Sequence, residues 1–238
     1  MTEWTDTHPE VDVREAEYQR LLGYPPGHAV DGRALELSDW ARGWYTRHGR
    51  PWVYSREAGS VAVYGRSVDI EGERFHSVAL RRRFEQASAD GVILTAVSAG
   101  AELEREAQRL WREEKPDEYY FLEVLGSAVV ERLMEMAGER LWEWAEGRGM
   151  AVLPHYSPGY AGWDVAEQPR LLGLLQGSRN LPGNLEALAS GALRPKKSLV
   201  AVFGLTRRTD GVRPLAELAG CESCSMARCG YRRTTGRR

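Results

Sequence analysis

The sequence has no long hydrophobic run and almost no net charge. Its 238 residues carry a formal charge of −2. No apolar stretch approaches the roughly 18 residues of a membrane span, and the acidic N-terminus is unlike the basic start of a secretory signal. We therefore expect a cytoplasmic protein. A charge this small creates no general field that would attract nucleic acid or an anionic membrane, so neither is expected as a partner.

Cysteines are also few, and their placement excludes a disulfide framework. Cys221, Cys224 and Cys229 lie within nine residues of one another near the C-terminus. A disulfide scaffold would distribute an even number of cysteines along the chain. Three thiolates at this spacing can instead share one zinc ion or iron–sulfur cluster, with the fourth ligand supplied from elsewhere. We predict metal binding here, while a reactive-thiol role and a tail with incidental cysteines are the alternatives.

A regular strand-helix-strand repetition is absent, as is any internal repeat. With 42% hydrophobic and 28% charged residues, the composition is typical of a globular protein. Apolar spacing predicts helices at 13–22, 34–47, 77–86, 101–114, 118–146 and 164–175, and strands at 60–65, 91–97, 151–153 and 198–203. This mixture favours an α+β fold with one mainly antiparallel sheet and one long helix. We expect a single domain over 1–210 and a cysteine-rich basic tail over 211–238.

The most unusual segment is 154–163, which follows the predicted strand at 151–153. Its two glycines allow a ligand to lie close to the backbone, and Tyr160 and Trp163 offer flat faces for an adenine or a sulfonium. A nucleotide-like cationic ligand would suit this combination. The same residues also fit a rigid turn between a strand and a helix, with the aromatic rings packed beneath it.

Ser157-Pro158-Gly159-Tyr160 resembles part of the S-adenosylmethionine-binding activation domain of cobalamin-dependent methionine synthase. That family carries Arg-x-x-Pro-Gly-Tyr, and its arginine holds the carboxylate of S-adenosylmethionine. Weaker likenesses follow in the family's order at 20–24, 75–77, 94–100, 125–131 and 193–198. The resemblance implies a curved α+β domain around a twisted, mainly antiparallel sheet.

The resemblance also implies a set of ligand-binding residues, namely Glu131, His155, Ser157, Gly159 and Tyr160. His155 stands where the family has its arginine. A guanidinium binds a carboxylate through two parallel hydrogen bonds, whereas an imidazole offers one at a time. His155 is therefore also a candidate catalytic acid or base, because its ordinary pKa lies near neutrality. A histidine satisfied by neighbouring backbone is the plainer alternative.

The function that the resemblance implies is that of an accessory protein. It would bind S-adenosylmethionine and support the reductive remethylation of cobalamin carried by a corrinoid-binding protein or core methionine synthase. A flavodoxin or ferredoxin-type reductant is a further expected partner. The alternative is a stand-alone enzyme that cyclises, cleaves or transfers part of S-adenosylmethionine, and a third interpretation is a ligand-sensing or structural module.

Overall fold

The computed structural model of the chain describes residues 3–25, 27–28, 30–177 and 181–212. The central sheet has five strands in the order β1-β2-β6-β10-β7, and every adjacent pair is antiparallel. In chain order the strands of this sheet are β1 (Glu3–Asp6), β2 (Trp52–Glu57), β6 (Gly91–Ser98), β7 (Ala151–Val152) and β10 (Ser198–Thr206). Two smaller sheets contain β3 (Val61–Tyr64), β4 (Ser67–Ile70) and β5 (Glu73–Phe75), and β8 (Glu186–Ala187) and β9 (Leu193–Arg194).

Six α-helices lie within the described residues. They are α1 (Glu15–Leu21), α2 (Gly32–His48), α3 (Val78–Ala87), α4 (Ala101–Arg112), α5 (Pro116–Glu146) and α6 (Gln168–Gln176). A 3-10 turn, Val165–Glu167, precedes α6. None of these helices is both long and apolar enough to cross a membrane, within the part of the chain that is described.

The central sheet is covered on both faces, because successive side chains of a strand point to opposite sides. Along β10, Ala201 and Phe203 join the core formed with α1, α2, α4 and α5. Val200 and Val202 join the other core, formed with α3, α6 and the sheet of β3, β4 and β5. This explains the continuous apolar runs of the two central strands and confirms that β6 is buried on both faces.

The long helix α5 begins at Pro116, which suits a first helical turn because its missing N–H would have no partner there. Gly126 lies where α5 meets α4, and a Cβ at this position would stand 2.7 Å from Leu103 Cδ1. The glycine therefore allows the close approach of the two helices.

The predicted fold class is confirmed: the described chain is α+β, with a curled, mainly antiparallel sheet and one long helix. The predicted helices and the strands β3, β6, β7 and β10 are present with shifts of a few residues at their ends. The strands β1, β2, β4, β5, β8 and β9 were not predicted. The boundary between a domain at 1–210 and a tail at 211–238 stays a prediction, because residues 213–238 lie outside the described part.

Candidate functional site

The segment predicted to bind a ligand begins as an extended chain beside the sheet. After β7, the N–H and C=O of Tyr156 both bond to the backbone of Val202, each at 2.9 Å. His155 packs against Phe203, with ring centroids 5.7 Å apart. Since side chains alternate along an extended chain, His155 and Tyr156 point to opposite faces of the sheet. The Tyr160 ring lies beside both of them, with its centroid 5.8 Å from that of His155 and 5.6 Å from that of Tyr156.

The chain then makes a turn that is anchored at both ends. The Ser157 hydroxyl is fully buried and donates to the Val200 carbonyl oxygen at 2.7 Å. The Gly159 N–H donates to the Trp163 carbonyl at 2.9 Å, and Gly159 has φ of +94°, a conformation that favours glycine. The carbonyl of Gly162 accepts from the Ser77 hydroxyl at 2.9 Å, next to the start of α3. Sheet and helix thus both hold the turn.

The two aromatic rings of the turn have different roles. Trp163 is 2% exposed, stacks on Tyr156 with centroids 6.1 Å apart, and donates from Nε1 to Glu167 at 2.8 Å. Tyr160 is 38% exposed, and its hydroxyl lies 3.0 Å from Nε2 of His155. Trp163 therefore belongs to the core, as the packed-turn interpretation expects, and Tyr160 is the ring that a ligand can reach.

His155 is held in its neutral form. Burial lowers the pKa of His155 to about 4, and the positive charge of Arg83 acts in the same direction. At neutral pH the imidazole therefore offers one donor and one acceptor nitrogen and no fixed positive charge. It can make a hydrogen bond to a carboxylate but cannot replace the charge of the family's arginine. A base with such a low pKa is also weak at neutral pH.

Glu131 lies on α5 and faces α1. Its Oε2 is 3.4 Å from the guanidinium of Arg20, and its side chain is 45% exposed. One turn earlier, Ser127 accepts from Lys197 Nζ at 2.8 Å, so the two residues of this helix contact different neighbours. The described contacts join His155 and Tyr160 directly within the turn, whereas the described contact of Glu131 is with α1. Its ligand-binding role stays a prediction, as it does for the four predicted residues of the turn.

Sequence reasoning did not single out Arg83, although it influences both residues at the start of the turn. Its guanidinium lies over the ring of Tyr156, 4.5 Å from the centroid, and its charge lowers the pKa of His155. The available signal was the run Arg81-Arg82-Arg83 on the predicted helix 77–86. A run of arginines on a helix is usually solvated, so only the fold identifies the one that faces the turn.

The predicted metal site falls on Cys221, Cys224 and Cys229, which lie outside the described residues. Within the ranges 3–25, 27–28, 30–177 and 181–212, no group of three or more His, Cys, Asp or Glu side chains is placed to hold a metal ion. Zinc or iron–sulfur binding by the cysteines therefore stays a prediction.

Comparison with known proteins identifies a similar fold. Neither a family model nor a curated protein matches the sequence. Among solved structures, the chain is similar to the crystal structure of the MetH reactivation domain bound to AdoHcy, with a TM-score of 0.65 and 12% sequence identity. The match covers 92% of this chain and 82% of that chain. At this identity the likeness shows the fold alone, and the fold is the one that the resemblance of Ser157 to Tyr160 implied.

Proposed function

We propose that the chain binds S-adenosylmethionine at the turn after β7 and supports the reductive reactivation of a separate corrinoid methyltransferase. The observation that carries the proposal is the likeness of 92% of the chain to a reactivation domain bound to AdoHcy. The Ser-Pro-Gly-Tyr turn supports it, because the turn is anchored to the sheet and presents Tyr160 at the surface.

The role of the chain's own residues in this proposal is to bind and position the ligand. The Tyr160 ring can stack on an adenine or lie against a sulfonium, and both contacts need an exposed aromatic face. The exposed Gly159 would let a ligand approach the backbone, since a Cβ there would meet only Val165 at 3.7 Å. Neutral His155 can contribute one hydrogen bond. We therefore expect weaker carboxylate binding than a guanidinium would give.

The remaining chemistry belongs to the partner. Cobalamin, carried by a corrinoid-binding protein or core methionine synthase, supplies the centre that accepts the methyl group. A flavodoxin or ferredoxin-type protein would supply the electron. The contribution of this chain is to hold the methyl donor in position against that centre.

Ligand binding is tested by calorimetric titration of the whole chain with S-adenosylmethionine and with AdoHcy. Tyr160→Ala should weaken binding roughly tenfold, because stacking of a base on an aromatic ring is worth about 1–3 kcal/mol. Tyr64→Ala is the matched control, since Tyr64 is 57% exposed and lies on β3 in a different sheet. If the folded wild-type chain binds neither compound, the proposal fails and the structural-module interpretation is favoured.

Reactivation is tested with a purified corrinoid-dependent methionine synthase lacking its own reactivation domain. The corrinoid is oxidised to cob(II)alamin, and a reductant and S-adenosylmethionine are added with or without this chain. We expect the absorption of methylcobalamin to return faster when the chain is present, and more slowly with Tyr160→Ala. Equal rates with and without the chain, together with no association of the two proteins, would contradict the accessory role.

The alternative is an enzyme that acts on S-adenosylmethionine without a partner. The contact that favours it is the 3.0 Å hydrogen bond between His155 Nε2 and the Tyr160 hydroxyl, which joins two groups able to carry a proton. Mass spectrometry after incubation of the pure chain with S-adenosylmethionine distinguishes the two functions. A product that forms with the wild type and not with His155→Gln supports the enzyme, and unchanged S-adenosylmethionine counts against it.

A further inference from the structure

A cleft of about 330 Å³ lies on the Tyr156 side of the segment, beside α3. Its walls come from three parts of the chain: α3, the residues between β7 and the turn, and the residues after β10. The lining includes Arg83, Leu153, Pro154, Arg208, Asp210 and Val212. The volume lies within the range of small-molecule sites.

Arg83 is one of the three charged residues that line this cleft. It is half-buried, and its guanidinium is held over the Tyr156 ring at 4.5 Å from the centroid. Among the residues that the structure describes, no acceptor forms a hydrogen bond with it. Arg81, on the same helix, pairs with Glu85. A stacked guanidinium keeps its N–H donors in a fixed fork, so Arg83 is prepared for a planar or tetrahedral anion.

The rest of the cleft suits an anion attached to a small carbon body. Arg208, which is exposed, adds a second guanidinium, and its backbone N–H donates to the Thr206 hydroxyl at 3.0 Å. Leu153, Pro154 and Val212 supply an apolar wall. Asp210 opposes a purely anionic occupant and favours one that also carries a hydroxyl or ammonium group.

We propose that this cleft is a second binding site, for a small metabolite whose carboxylate or phosphate group is held by Arg83 and Arg208. The cleft adjoins the turn that includes Tyr160, because Arg83 covers the ring of Tyr156, whose centroid lies 5.6 Å from that of the Tyr160 ring. The two sites share the segment 153–156. This inference does not depend on the proposed function.

The test is titration of the whole chain with glycerol 3-phosphate and, separately, with malate, at constant ionic strength, since each joins its anionic group to a hydroxyl. We expect at least one anion to bind with a dissociation constant below about 10 mM, and Arg83→Gln to weaken it by about tenfold or more. Arg82→Gln is the matched control, since Arg82 is exposed on the same helix and does not line the cleft. The anion that binds more tightly identifies the phosphate or the carboxylate class.

Arg208→Gln provides a second variant in case the loss of the stack on Tyr156 unfolds the chain, and circular dichroism checks each fold. The proposal is overturned if neither anion binds the wild type, or if Arg82→Gln weakens binding as much as Arg83→Gln. Titration of Arg208→Gln with S-adenosylmethionine keeps the two proposals apart, because Arg208 lines the cleft and its described hydrogen bond is to Thr206 rather than to the turn. Binding that is retained there, with anion binding lost, supports two separate sites.

Discussion

At the scale of single residues, the contact partners rather than the residue types decide what the turn can do. Tyr160 and Trp163 are both aromatic and lie in one short segment, yet one is 38% and the other 2% exposed. His155 has an ordinary imidazole whose acidity is changed by a packed environment and by Arg83. Each of these differences can be measured.

The first prediction concerns the pH dependence contributed by His155. Its pKa is about 4 in the folded chain against an ordinary value of 6.5, so between these values the unfolded chain binds the additional proton. The contribution of His155 to stability should therefore be complete above pH 6.5 and be lost progressively as the pH falls toward 4. Urea unfolding of wild type and His155→Gln at several pH values measures this contribution. The free energy of unfolding should rise more steeply with pH for wild type than for His155→Gln.

NMR titration of the histidine ring provides the direct check. A His155 signal that titrates near pH 6.5 would contradict the low pKa. Arg83→Gln should raise the pKa of His155, because it removes a neighbouring positive charge. Arg82→Gln is the control for this effect.

The second prediction separates packing from ligand contact. Trp163→Ala should lower the free energy of unfolding by about 3–5 kcal/mol, because it removes a buried ring and leaves a cavity. Tyr160→Ala should change it by about 1 kcal/mol or less, since its ring is partly solvated. Urea unfolding measures both. Equal losses for the two variants would mean that Tyr160 is a core residue and that its place in the candidate site is wrong.

At the scale of secondary-structure elements, close approach is controlled by particular glycines. Gly126 on α5 lies against Leu103, which is fully buried, and against the Lys197 stem. Gly173 on α6 has no atom within 4 Å of the place its Cβ would occupy. Both are glycines within helices, where alanine is normally preferred. Their surroundings give substitution opposite consequences.

The third prediction follows from that difference. Gly126→Ala should be destabilising, because overpacking costs about 1–3 kcal/mol and exceeds the gain of about 0.5–1 kcal/mol in helix propensity. Gly173→Ala should stabilise the protein by about 0.5–1 kcal/mol, because it gains the propensity without a clash. Thermal unfolding of the two variants shows whether each substitution stabilises or destabilises the protein. Stabilisation by both would show that α4 and α5 pack less closely than described.

The elements also show which parts of the fold could be predicted from the sequence. The long helix α5 and the strands β6 and β10 carry enough apolar residues to be recognised locally. The strand β2 was not predicted although Trp52, Val53 and Tyr54 favour a strand, because this apolar run is short and the strand continues with polar residues. The short strands β1, β4 and β5 depend on pairing with distant or adjacent chain rather than on local pattern.

In the candidate site, too, a local pattern could be predicted from the sequence, whereas contacts between distant segments could not. The turn could be predicted because its residues are contiguous from His155 to Tyr160. The contribution of Arg83 could not, because α3 is distant in sequence and meets the turn only in the folded chain. The predicted helix 118–146 correctly placed Glu131 on a helix but did not reveal that α1 lies against it.

At the scale of the whole molecule, an ion pair joins the central sheet to the smaller elements that cover one of its faces. Arg56 on β2 makes two hydrogen bonds to Glu71, at 2.8 and 2.5 Å, and a third to the carbonyl of Leu174 on α6 at 2.6 Å. Glu71 follows β4 and also accepts from the Gly59 N–H at 2.8 Å. This pair therefore ties the central sheet to both the three-stranded sheet and α6.

The last prediction tests that connection. Arg56→Met should lower the free energy of unfolding by about 3 kcal/mol, because it leaves Glu71 and the Leu174 carbonyl without their charged donor in a site where the Arg56 side chain is 9% exposed. Arg33→Met is the control: Arg33 pairs with Glu36 and Glu118, but its side chain is 62% exposed, so its loss should cost less than about 1 kcal/mol. The hydrogen bonds to Arg56 also lower the pKa of Glu71. The stability from this pair is therefore present near neutral pH and is lost when Glu71 is protonated in acid. The difference in the free energy of unfolding between wild type and Arg56→Met, measured in urea, should shrink as the pH falls. A difference as small as that of Arg33→Met at neutral pH would mean that apolar packing alone holds the smaller elements to the central sheet.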